Sequence, residues 1–184
     1  MPRYVAFLRG VSPLNAKMPE LKACFESAGF TNVRTVLSSG NVAFDTEQTS
    51  QSVLEAKAER AMQASLTRTF YTIVREVTEL QALLAADPYT EHGIPSDAKR
   101  MVSFFRETPV PKVHLPLAQD LASVFLVRGR EAFTAYRPVE KGPVFMVLIE
   151  KAFGKDVTTR TLDTVAKCIA ASCEQPKGKA SNEI

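Results

Sequence analysis

The chain has 184 residues, 45% of them hydrophobic, which is enough for a real core in one domain or two small ones. Lys and Arg number 23 against 20 Asp and Glu, a net charge of +3. That balance is thinner than the basic stripe of a protein that coats DNA or RNA, so charge permits an anionic partner without requiring one. Three cysteines, Cys24, Cys168 and Cys173, are too few and odd in number for a disulfide framework, and read as small buried hydrophobes. His92 and His114 stand apart, and no CxxC or HxxxH spacing supplies a metal site.

The N-terminus enters a strand pattern at once, without the anatomy of a signal peptide. The longest apolar run, Val144 to Ile149, falls far short of the ~20 residues a membrane span needs. The expectation is a soluble cytoplasmic protein without a membrane partner.

Residues 4 to 8 are apolar on both alternations, which suits a central strand covered on both faces. A loop from Val11 to Lys17 follows, and Pro19 suits the first turn of a helix carrying Leu21, Cys24, Phe25 and Ala28. Gly29 is placed to end it in a left-handed cap. The spacing predicts a hairpin next, with strands near 33–38 and 41–45 joined by Ser38-Ser39-Gly40-Asn41. Residues 50–66 form an amphipathic helix with Leu54, Ala58, Ala61 and Met62 inward and Glu55 among the outward residues. Phe70 to Val74 is a fourth strand. The order βαββαβ reads as an α+β fold whose residues 1–75 form a ferredoxin-like, split βαβ unit.

Residues 76–175 read as a second small α+β subdomain. A short helix through Leu80, Leu83 and Leu84 stops at Asp87-Pro88, and Tyr89 to Asp97 reads as loop. Met101 to Phe105 is a strand, and Thr108 to Pro116 a proline-bearing connector. Ser123–Val127 and Ala132–Tyr136 flank a turn at Arg128 to Glu131. Pro143 opens a helix closed by Gly154. A last helix follows Thr158-Thr159, with Thr159 as its expected cap, Thr158 as the alternative, and Leu162, Val165, Ala166 and Ile169 inward. The end, 176–184, is polar and expected to be a flexible tail.

Several of these segments are familiar. Phe7-Leu8-Arg9-Gly10, Met18-Pro19-Glu20-Leu21, Ala28 to Val33 and Ser39-Gly40-Asn41-Val42 resemble the bacterial domain-of-unknown-function family 1697. So do Ile149-Glu150-Lys151 through Gly154 and Thr158-Thr159-Arg160. The resemblance implies a cytoplasmic bacterial protein of two α+β subdomains, the first ferredoxin-like, and it implies no activity. Two loops depart from the family pattern. Val11 to Lys17 lacks a pair of glycines many members carry, and Thr161 to Thr164 stands where many continue with Asn-Trp-Asn-Thr.

In a split βαβ sheet the end of the first strand, the turn between the second and third, and the start of the first helix should meet at one edge. That edge would offer Arg9, Lys17, Ser38, Ser39 and Asn41, a set suited to a phosphate or carboxylate. Arg160 joins them because an arginine on the first turn of a helix is unfavourable unless an acid or anion pairs with it. The same residues serve equally as turn chemistry and a solvated strand end. No nucleophile elbow, Cys–His pair or phosphate loop is present, no catalytic residue is nominated and no cofactor is expected. The leading expectation is therefore a small binding protein for a phosphorylated or carboxylated ligand. A nucleic-acid module using the sheet, and an enzyme or protein-interaction module whose site forms only in the fold, stand beside it.

Overall fold

Tyr4 to Leu8 form the heart of strand β1 (Arg3–Leu8), and each of these five residues is buried. In the computed structural model, which describes residues 1–140 and 142–173, β1 pairs on both sides. Its neighbours are β3 (Asn41–Asp45) and β4 (Thr72–Glu76), and β2 (Thr31–Val36) pairs outside β3. The sheet is antiparallel throughout, in the order β2-β3-β1-β4.

Helices α1 (Met18–Ser27) and α2 (Gln51–Ser65) cover one face of it. Their buried Leu21, Phe25, Leu54, Ala58 and Met62 meet Tyr4, Ala6, Leu8 and Phe44 from the sheet. A side chain of this kind contributes about 1.5–3 kcal/mol when fully buried. Gly29 adopts φ +82°, its N–H reaches Glu26 O at 2.9 Å and that of Phe30 reaches Phe25 O, which closes α1 in a left-handed cap.

The second half begins with α3 (Val77–Ala86) and α4 (Pro88–Glu91). It continues through β5 (Lys99–Phe104), β6 (Leu117–Gln119), β7 (Ala122–Arg128), β8 (Glu131–Tyr136), α5 (Val144–Phe153), β9 (Thr158–Thr161) and α6 (Leu162–Cys173). Its strands form a second antiparallel sheet, ordered β6-β7-β8-β5-β9. The back face of the first sheet packs against this half. Val5, Phe7, Ala43 and Ile73 share a core with Leu80, Tyr89, Val102, Phe104, Val165 and Cys168, and the rings of Phe7 and Phe104 stack at 4.5 Å. Helix α5 covers another part of the second sheet through Phe145, Leu148 and Ile149. The protein is thus a mixed α+β fold with two antiparallel sheets, and among the described residues no helix is long and apolar enough to cross a membrane.

Several expectations change. The stretch after Asp87 is not all loop, because Asp87 caps α4 through Thr90 and brings Tyr89 into the core. The Ala118 region supplies an edge strand, β6, that its composition does not announce. Thr159 caps nothing: Thr158 to Thr161 pair with β5 as β9, and Thr161 accepts the Thr164 N–H at 3.0 Å to start α6. Arg160 therefore lies in a strand, not on a helical first turn. The inward stripe of α6 is rotated accordingly, so Thr164, Val165 and Cys168 are buried while Ala166 is exposed. Cys173 is exposed as well. The tail assigned to 176–184 lies outside the described residues.

Candidate functional site

Arg9, Ser39, Asn41 and Arg160 do come together, at the rim where β1 ends and the β2–β3 turn folds back. The Leu8 N–H donates to Gly40 O at 2.8 Å, which seats the turn on the strand end. Gly40 needs its φ of +76° and its missing side chain, since a Cβ there would lie 2.7 Å from Val11. Asn41 is fully buried; its amide nitrogen donates to Val36 O and Ser39 Oγ, and its oxygen accepts from Arg160 Nε at 2.6 Å. The rest of the Arg160 guanidinium donates to Leu8 O, Ser39 O, Gly40 O, Thr158 Oγ1 and Thr159 O. Burial brings its pKa down to about 10, which leaves it charged at neutral pH.

This guanidinium is a clamp. It ties β9 of the second half to the strand end and turn of the first, and its donors are spent within the fold. Arg9 is also engaged, donating to Val157 O at 2.6 Å and to Glu150 Oε1 at 2.9 Å, so it too joins the halves. Ser38 is exposed beside the clamp. Lys17 does not share this environment. Its side chain is 78% exposed and holds Glu20 only at 3.8 Å.

A second cluster assembles only in three dimensions, along the outer edge of β4. Glu55 is buried on α2, where sequence places it outward, and accepts the Val74 N–H at 3.0 Å. Glu59 accepts the Thr72 N–H at 2.9 Å, while Arg106 and Arg75 donate to the carbonyls of Thr72 and Val74. Arg106 also pairs with both glutamates, and Arg75 with Glu131 at 2.8 Å. Burial, partly offset by the Val74 N–H and the nearby arginines, holds the Glu55 carboxyl above the usual carboxylate range. A raised carboxyl among arginines is the pattern an active site shows. Here the groups do the work of a missing neighbouring strand, satisfying an edge that would otherwise be open to another chain.

Unspent polar groups gather elsewhere, in a cleft of about 570 Å³ between α1, the loop before it and the end of α2. Lys17, Glu20, Ala23, Cys24 and Ser27 recur at the spacing of one helix face, and Ser65, Leu66 and Thr67 form the opposite wall. The Asn15 side chain is committed to Ser12 N and Gly10 O and shapes the loop. Ser27 donates its proton to Cys24 O at 2.7 Å and keeps its lone pairs for an acceptor role. No local pattern marks Ser65 to Thr67 as partners of Lys17; only the packing of α1 beside α2 puts them there. Among the described residues no His, Cys, Asp and Glu side chains cluster as a metal site requires.

The family model for a protein of unknown function, DUF1697, matches residues 1–133. The chain belongs to the DUF1697 family. No curated protein matches it. A solved structure of the conserved bacterial protein SP0830 from Streptococcus pneumoniae is similar, with a TM-score of 0.71 at 18% identity over 95% of this chain and 99% of that one. At that identity the likeness speaks for a shared fold alone. Within this DUF1697 chain the sheet on which an RNA-recognition module would stack bases is covered on both faces. Phe7 lies against Phe104, and Phe44 lies against Phe25 and Phe30.

Proposed function

We propose that this protein binds a small anionic ligand in the cleft beside Lys17, and that the Arg9, Asn41 and Arg160 rim is the scaffold beside that site. The observation that carries the reading is a contrast in hydrogen-bond capacity. The rim arginines and Asn41 already bond to the protein, whereas Lys17 is held by one loose pair at the mouth of a concave surface with free hydroxyls. A site of that make-up, an apolar floor with a few converging polar groups, suits a small molecule. Ser38 and Ser39, exposed on the turn, contribute to the rim and not to the cleft.

Two finer readings accompany this one. The first half is a ferredoxin-like unit, which is supported by the order β2-β3-β1-β4 with α1 and α2 on one face. The protein works in the cytoplasm, supported by three free cysteines, Cys24, Cys168 and Cys173.

A thermal-shift screen of nucleotides, sugar phosphates and short oligonucleotides tests the binding site. At least one small anion is expected to raise the melting temperature of wild type and not of Lys17→Gln, with Arg9→Ala responding like wild type. An unchanged response in Lys17→Gln sinks the assignment.

A further inference from the structure

We infer that the ligand of the Lys17 cleft is a nucleoside monophosphate whose base carries an amino group, an inference that rests on the binding reading above. The cleft is laid out in three parts along one face of α1. Its cation, Lys17, stands at one end, and Glu20 beside it is drawn off by that same lysine at 3.8 Å. A phosphate can take over that loosely held ammonium, because exposed pairs of this kind are worth little.

The middle is lined by apolar groups, the exposed Ala23 on α1 and the half-buried Leu66 at the end of α2, over the buried Cys24. At the far end stand Ser27, Ser65 and Thr67. Because the Ser27 proton is given to Cys24 O, its oxygen seeks a donor from the ligand. From Lys17 to Ser27 the helix rises about 15 Å, at roughly 1.5 Å per residue.

These three parts are matched together only by an anion that also carries a flat body and a donor. Inorganic phosphate or a sugar phosphate fills the Lys17 end and leaves the apolar middle in water. A fatty acid covers the middle but brings no donor to Ser27. A nucleoside monophosphate has the anion, the flat body and, in adenosine or cytidine, an exocyclic amine at the opposite end.

Backbone amide NMR titrations of the full chain test this with three probes: inorganic phosphate, adenosine 5′-monophosphate and inosine 5′-monophosphate. The adenosine compound is expected to shift amides from Lys17 through Ser27 and at Ser65 to Thr67, and phosphate only those near Lys17. Affinity for the adenosine compound should exceed that for the inosine one by about tenfold, the worth of a hydrogen bond in a site built for it. Ser27→Ala, an exposed change in the last turn, should erase that preference while leaving the phosphate shifts in place. If phosphate shifts the Lys17 amides and the nucleotide reaches no further, the nucleotide assignment is overturned and anion binding stands. If no probe moves any amide of the cleft, both fall. Equal affinity for the two nucleotides overturns the role of Ser27 and the amino group with it.

Discussion

The Arg160 clamp reaches from β9 in the second half onto the end of β1, the Lys17 cleft lies beyond the loop that follows β1, and the two use positive charge in opposite ways. Arg160 is 9% exposed and surrounded by carbonyls and an amide oxygen, all supplied by the fold. Lys17 is mostly in water, with one weak partner among the described residues. Sequence treats both as candidate anion binders, Lys17 because it precedes a helix at the expected rim and Arg160 because it is expected on a helical first turn. The structure separates them, since the Arg160 donors are taken up by the fold while the Lys17 ammonium is left to water and a loose pair with Glu20.

The largest effect is expected from breaking the clamp. Arg160→Ala strands Leu8 O and the Asn41 amide oxygen in the interior, and removes the tie between β9 and the first sheet. Each buried acceptor left without its partner costs about 1–3 kcal/mol. Urea melts will read it, and Arg160→Lys should recover only part, because one ammonium cannot reproduce the planar fork. A variant melting like wild type would mean that the clamp is ornamental.

Thr161→Ala comes next, at about 1 kcal/mol for a lost helix cap. Thr158→Ala and Thr159→Ala act differently, since their hydroxyls meet Arg160 and Ser103 rather than a helix N-terminus. Arg9→Ala is expected to cost about 1 kcal/mol, because Arg9 and Glu150 are each about one-third exposed and the pair is screened accordingly. Equal urea midpoints for wild type and Arg9→Ala would show that its two contacts contribute nothing.

These variants also mark how much could be read in advance. The central strand, the hairpin, the first two helices and the Gly29 cap follow from local pattern, because alternation, helical spacing and turn chemistry act within a few residues. The meeting of Arg9, Ser39 and Asn41 follows from element order. Arg160 is different. Thr158-Thr159-Arg160-Thr161 looks like a helix start, and only pairing with β5 across more than fifty residues turns it into a strand. Glu55 misleads for the same reason: the edge it satisfies is made by β4, which the helical pattern around residue 55 does not contain.

Glu55 gives a pH test of that edge. Burial raises its folded-state pKa above the ordinary carboxylate value. A raised folded pKa means that the folded form binds more protons between the two values, so this group's contribution is fully present below the unfolded pKa and is lost as pH rises through the folded one. Glu55→Gln keeps an acceptor for the Val74 N–H and removes the titration. The stability of Glu55→Gln relative to wild type should therefore improve as pH rises through the carboxylate range toward neutrality. Parallel stability curves from urea melts across that range would show that Glu55 carries no net burial cost.

The smallest stability effect is expected at Lys17, and its smallness is what makes it informative. Lys17→Ala removes an exposed side chain whose only ion pair among the described residues is loose, so the change in unfolding free energy should stay within about 0.5 kcal/mol. The helix start also survives, because Lys17 makes no side-chain capping bond and Pro19 still supplies the fixed first-turn geometry. A charge that the fold does not use is available to a ligand, so the same variant should lose anion-induced thermal shifts that Arg9→Ala retains. Reversal of the two responses, with Lys17→Ala unfolding readily and Arg9→Ala losing the ligand, would move the site back to the rim where strand end and turn meet.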